Sequence, residues 1–157
     1  MIVKKILFVC LGNICRSPLA EGLFRVLVKN NHQEFDFFCD SAGTASYHIG
    51  SLPDHRSRQV AINHGFELTH KARQFTVEDF DHFDLILAMD PHNMKDIISL
   101  SRNKTDQNKV KLMRDFDTKI KDNKTVHDPY YDTIKEFEEV YQVLERCCEE
   151  LLKKLND

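Results

Sequence analysis

A chain of 157 residues, with 22 Lys and Arg against 25 Asp and Glu and a formal net charge of −3, has room for one hydrophobic core over residues 1–157. It carries no basic excess with which to grip nucleic acid or an anionic membrane surface. Its five cysteines, at 10, 15, 39, 147 and 148, form an odd set with no Cys-x-x-Cys pair, which speaks against a disulfide framework and against zinc and points to free thiols in a reducing, cytoplasmic setting.

The first apolar run, Ile6-Leu7-Phe8-Val9, is too short for a membrane span and lacks a signal-peptide cleavage site; it reads as a central strand, apolar on both faces. Leu11 to Arg16 reads as a loop, and Ser17-Pro18 as the opening of a helix with an apolar stripe at Leu19, Leu23, Val26 and Leu27. Phe35 to Cys39 predicts a second strand, followed by a turn at Ser41-Ala42-Gly43-Thr44. Pro53-Asp54 starts a helix that Gly65 ends, and Phe66 to Leu68 reads as a short strand. Asp84 to Met89 predicts another strand, and Pro91 a helix through about Leu100. Ser101 to Asn108 reads as a polar loop, Val110 to Met113 as a short strand, and Asp115 to Tyr131 as a long loop. The chain closes on an amphipathic helix with Ile134, Phe137, Val140, Leu144, Cys147, Leu151 and Leu155 on one stripe. The alternation predicts an α/β domain, a twisted parallel sheet with helices on both faces. Ligands of such sheets bind beyond the carboxyl ends of the strands, which is where Cys10 falls.

The segment Cys10-Leu11-Gly12-Asn13-Ile14-Cys15-Arg16-Ser17-Pro18 carries the chemistry. A loop of this size between a buried strand and a helix start can curl until its backbone N–H groups converge. Gly12 and Asn13 are the residue types that best tolerate the left-handed backbone such a curl needs. The amides of Leu11 through Ser17, with the helix N-terminus behind them, would form a cradle for a phosphate-like anion. Cys10 at its floor is favoured as a thiolate by the helix end and the nearby arginine. Ser17 can donate its hydroxyl to the sulfur, and Arg16 supplies a planar fork for two phosphate oxygens. A Walker loop and a Rossmann fingerprint are both absent.

With Ser41-Ala42-Gly43-Thr44, Tyr47-His48-x-Gly50, Pro53-Asp54-x-Arg56, His70-Lys71-Ala72-Arg73-Gln74, Ala88-Met89-Asp90, Asp128-Pro129-Tyr130-Tyr131 and Cys147-Cys148 in order, the chain resembles the low-molecular-weight protein tyrosine phosphatases over nearly its whole length. That resemblance implies a four-stranded parallel sheet with the phosphate-binding loop after strand one. It also implies hydrolysis of phosphotyrosine in proteins and of small aryl phosphates through a cysteinyl-phosphate, without metal or other cofactor. Cys10, Arg16 and Asp128 would be the catalytic residues, with Asp128 as general acid and then base. A tyrosine phenolate leaves poorly without a proton, its phenol pKa being about 10. Asn13, Ser41 and His70 resemble the scaffold that supports the loop with Ser17. Leu11, Ile14, Tyr47, Tyr130 and Tyr131 are expected to wall a slot suited to a flat ring. Protein-arginine phosphatases of the superfamily carry threonine where this chain has Ile14, so the isoleucine favours tyrosine. Cys15 resembles the family's second loop cysteine, a redox partner for Cys10. The implied partners are phosphotyrosine proteins, with no nucleic acid and no membrane.

Two other functions are weighed against this one. A thiol-linked arsenate reductase of the same fold needs relay cysteines in the second half, but none lies between Arg56 and Asp128. A non-catalytic phosphotyrosine-binding module should have lost the nucleophile or the acid, and both are retained.

Overall fold

A computed structural model describes residues 2–157 and leaves Met1 outside. Its sheet is made of β1 (Lys4–Cys10), β2 (Phe37–Gly43), β3 (Leu85–Ala88) and β4 (Val110–Leu112), in the order β2-β1-β3-β4. All three pairings are parallel. Between them run α1 (Arg16–Asn30), α2 (His55–Asn63), α3 (Asp79–His82), α4 (Pro91–Ile98) and α5 (Lys104–Asn108), and α6 (Ile134–Leu155) ends the chain.

β1 is central because its side chains are apolar on both faces. Ile6 and Phe8 pack into a core with α1, α2 and α6, while Leu7 and Val9 pack into a second core with Phe75, Phe80 and Ile97. That period of two on a doubly covered strand is what hydrophobic burial selects. From β1 the chain goes first to β2 on one side and later to β3 on the other. The sheet therefore has its topological switch at the carboxyl end of β1, which opens a crevice there.

The structure departs from the sequence reading in several elements. β2 starts at Phe37 and runs through Ser41-Ala42-Gly43, which were expected to turn; pairing from Lys4↔Phe37 to Cys10↔Gly43 along the whole of β1 outweighs their turn propensity. Phe66–Leu68 is not a strand. It leaves α2 after Gly65, whose φ of +89° ends the helix, and Leu68 drops into the α1 core. The polar stretch after Ser101 holds the short helix α5, capped by Asn103 accepting from the Asp106 amide. α3 was not anticipated, α1 opens at Arg16 rather than Ser17, and α4 ends at Ile98. Ile134 is exposed, off the buried stripe of α6. Among the described residues no helix is long and apolar enough to cross a membrane.

Candidate active site

The loop from Leu11 to Cys15 is held by its carbonyls. The Cys10 and Leu11 carbonyls accept from the Thr44 and Ala45 amides at 2.9 Å each, and the Ile14 carbonyl from the Asp54 amide at 2.8 Å. The Cys15 carbonyl accepts from Ser57 Oγ at 3.0 Å. With these four carbonyls engaged by outer donors, the amides are left over: none from Leu11 to Cys15 donates to a protein acceptor among the described residues. Backbone N–H groups in that condition, beside the N-terminus of α1, have the chemistry to take an anion.

Asn13 fixes the curl. Its φ is +58°, the left-handed region, and its side chain is saturated with hydrogen bonds. Nδ2 donates to Ser17 Oγ at 2.8 Å and to Ser41 Oγ at 3.0 Å. Oδ1 accepts from the Arg73 amide at 3.0 Å and pairs with His70 Nε2 at 2.8 Å. Gly12 is not left-handed, contrary to the sequence reading; its lack of a side chain makes room for the His48 ring, since a Cβ there would lie 3.0 Å from His48 Cδ2.

Ser17 Oγ accepts from Asn13, so its own proton points to one of two acceptors, Cys10 Sγ at 3.0 Å and the Ala42 carbonyl at 3.4 Å, of which the sulfur is the nearer. Arg16, almost fully buried, donates from Nη1 to Asp90 Oδ2 at 2.7 Å and to the Val126 carbonyl at 3.0 Å. Burial opposes its charge, but Cys10 and the Asp90 carboxylate outweigh that and raise its pKa further. Its Nη2 lies 3.6 Å from Asp128 Oδ2. Cys15 is buried, and burial followed by the Asp54 charge pushes its thiol well above the ordinary range.

Cys10, Arg16 and Asp128 line one cavity of about 360 Å³, together with Leu11, Ile14, Tyr47, Tyr130 and Tyr131. Ile14 is buried and Tyr130 half-exposed, whereas Tyr47 at 76 % and Tyr131 at 94 % exposure stand at the mouth rather than along the wall. Ser41 and His70 lie behind the loop. His70 Nδ1 faces Asp40 Oδ1 at 3.3 Å and Glu21 Oε1 at 3.5 Å. Glu21, Asp40 and His70 bring ligand atoms within 4.8 Å of one another, a spacing a metal ion could use. The same residues are tied into the scaffold through their other atoms as well: Glu21 accepts from Ser41 at Oε1 and pairs with Arg25 at Oε2, Asp40 Oδ2 pairs with Arg73, and His70 Nε2 with Asn13. The cluster is a hydrogen-bonded buttress for Asn13.

Several side chains of the site escaped the sequence reading. Asp90, given no role in the sequence reading, holds Arg16 and also caps α4 by accepting from the Asn93 amide at 2.7 Å. Glu21 is the buried base of the buttress, a lone carboxylate between Ala20 and Gly22 in α1. His48 lines the cavity beside Tyr130, with ring centroids 6.1 Å apart. Arg56 reaches the segment that carries Asp128. His48, Arg56 and Asp90 stand within motifs that carry the family resemblance, whereas Glu21 stands in none of them.

A family model described as low molecular weight phosphotyrosine protein phosphatase matches residues 5–157. The human protein of that name is 44 % identical over 152 residues, covering 96 % of this chain and 95 % of its own. The chicken protein of that name is 44 % identical over 153 residues, covering 97 % and 96 %. A crystal structure of a protein tyrosine phosphatase from Entamoeba histolytica, with Hepes in the active site, superposes with a TM-score of 0.93 at 41 % identity, covering 98 % of this chain and 97 % of that one. A Drosophila arginine phosphatase structure superposes with a TM-score of 0.91 at 31 % identity, covering 98 % of each chain.

Proposed function

Since the chain belongs to the low molecular weight phosphotyrosine protein phosphatase family, we propose that it hydrolyses phosphotyrosine in proteins, and small aryl phosphates, through a phosphorylated Cys10. The observation that carries this reading is the loop with the amides of Leu11 to Cys15 free of protein acceptors among the described residues, with Cys10 at one end and Arg16 and Asp128 on the same cavity.

In the first step the Cys10 thiolate attacks phosphorus in line, and the bond from phosphorus to the phenolic oxygen breaks as Asp128 gives that oxygen its proton. The cysteinyl-phosphate is then attacked by water, whose proton returns to Asp128 as the P–S bond breaks and the thiolate leaves. Through both steps the loop amides and Arg16 hold the equatorial oxygens, donors fixed in place before charge develops. The Ser17 hydroxyl supports the thiolate as nucleophile and as leaving group. Asp90 aims the guanidinium, so that Arg16 need not reorganise during the reaction. The five free thiols support a reducing, cytosolic setting for one catalytic unit. The slot suits an aromatic ring: Ile14 forms the inner wall, and His48 and Tyr130 flank it.

The test is turnover of matched peptides carrying phosphotyrosine, phosphoserine or phosphoarginine, by wild type and by Cys10→Ser. Phosphotyrosine should be preferred by at least about 10²-fold in kcat/KM, a margin that pocket shape and proton supply can generate. Cys10→Ser should be inactive yet still bind vanadate. Preference for phosphoarginine would move the chain to the other activity known on this fold, and residual turnover at wild-type level would remove Cys10 as nucleophile.

A further inference from the structure

Asp128 itself is lightly held. Its side chain is 42 % exposed, its Oδ1 accepts from the Tyr130 amide at 3.2 Å, and its Oδ2 lies 3.6 Å from Arg16. Its position depends on the segment that carries it, and that segment is tied at two points. Before Asp128, the Val126 amide donates to the Met89 carbonyl at 2.8 Å, and the Val126 carbonyl accepts from Arg16.

After Asp128, the tie is Arg56, at the start of α2. Its Nη2 donates to the Tyr130 carbonyl at 2.9 Å and its Nη1 to the Asp132 carbonyl at 2.5 Å. The guanidinium lies over the Phe137 ring, 4.3 Å from the centroid. Asp54 grips it from the other side: Nε donates to Oδ1 at 3.0 Å and Nη2 to Oδ2 at 2.9 Å. The Asp54 amide in turn donates to the Ile14 carbonyl of the phosphate loop at 2.8 Å. One unbroken series of contacts thus runs from the phosphate loop through Asp54 and Arg56 to the residues two and four places after Asp128. Only a planar fork with five N–H donors can hold a carboxylate and two carbonyls at once.

We propose that Arg56 is a positioning residue that sets Asp128 at proton-transfer distance over the phosphate loop. The inference rests on the reading of Asp128 as general acid. A displacement of about 1 Å in such a group can cost on the order of 10²-fold in rate.

The experiment compares Arg56→Gln, Arg56→Lys, Asp128→Ala and the double variant Arg56→Gln/Asp128→Ala on aryl phosphates, from acidic nitrophenols to tyrosine-like phenols. Rates are normalised to active sites titrated with vanadate, so an unfolded fraction does not count as lost chemistry. Arg56→Gln should lose about 10- to 100-fold in kcat/KM on the poorest leaving group and little on the most acidic one. It should bind vanadate as wild type does and add no further loss in the Asp128→Ala background. Arg56→Lys, which keeps charge and stem, should show the same slope at smaller amplitude, and it carries the test alone if the glutamine variant does not fold. A loss equal for all leaving groups, no loss, or a full loss that persists without Asp128 overturns the proposal. If Asp128→Ala itself loses activity without regard to leaving group, the general-acid reading falls and takes this one with it. If Asp128→Ala behaves as a lost acid and the Arg56 variants do not, only the present proposal falls.

Discussion

Asn13 shows how one side chain can determine a site without touching substrate. It holds a left-handed backbone, which costs a non-glycine residue about 1–3 kcal/mol, and its four hydrogen bonds to Ser17, Ser41, His70 and Arg73 offset that cost. The bond to Ser17 also fixes that hydroxyl 3.0 Å from Cys10 Sγ. Cys15 shares the loop but differs in electrostatics: burial, Asp54 and then Cys10 raise its pKa, so it rests as a thiol. Oxidation of Cys10 to a sulfenic acid would place an electrophilic sulfur in the same short loop as the Cys15 thiol, which can condense with it to a disulfide as water leaves. Mild peroxide should therefore inactivate the enzyme reversibly, with a Cys10–Cys15 disulfide found by peptide mapping and activity restored by dithiol. In Cys15→Ser the same treatment should become irreversible. A dominant bridge to Cys39, or unchanged reversibility in that variant, would make Cys15 a spectator. Cys39 on β2 and Cys147 and Cys148 on α6 lie outside the loop that Cys10 and Cys15 share, and are poor competitors for that reason. Cys10, Arg16 and Ser17 were legible in the sequence because strand end, loop and helix start are contiguous, so local geometry alone brings their groups together. Asp90, Glu21 and His48 were not, because each acquires its role only when a separate element folds against the loop.

At the scale of elements, the long segment between β4 and α6 illustrates the same limit. It reads as structureless, yet it delivers both Val126 and Asp128 to the site. What orders it is a buried charge cluster: Asp117, with no side-chain exposure, accepts from Arg114 at 2.7 Å, from Arg146 of α6 at 2.8 Å, and from the Lys119 and Ile120 amides. Burial by itself would raise the Asp117 pKa, but these donors, Arg146 foremost, hold its carboxyl far below the usual range. Asp117→Asn should therefore cost about 3–5 kcal/mol at neutral pH, as expected when one member of a buried ion cluster is removed. The sign with pH is fixed by the depressed value: the carboxylate's stabilisation is complete above the unfolded aspartate pKa of about 3.9 and fades as pH falls below it. Urea midpoints of wild type and Asp117→Asn should differ widely at neutral pH and converge in acid. A gap that is small at neutral pH, or independent of pH, would show that the cluster does not order the segment. The core strands, by contrast, were legible because apolar runs report burial directly. The boundaries of β2 were not, since its last three residues are polar or small and become strand only by pairing with β1.

For the whole molecule, the order β2-β1-β3-β4 does the placing. It opens a crevice at the end of β1, stations α1 to present its N-terminus there, and lets α2, α4 and the segment before α6 converge with Arg56, Asp90 and Asp128. Helices on both faces follow from two-sided apolar strands, so the architecture was readable from periodicity, while the meeting of distant side chains over the crevice was carried by the family resemblance. The central claim is that phosphate passes through the Cys10 sulfur. The direct measurement is mass spectrometry of enzyme quenched in acid during turnover of an aryl phosphate, with peptides mapped under conditions that preserve thiophosphates. The account predicts one phosphoryl group on the peptide bearing Cys10, accumulating in wild type, persisting longer when Asp128 is replaced by alanine, and absent in Cys10→Ser. Turnover with no phosphorylated Cys10 peptide at any time, or phosphate found on another residue, would contradict it.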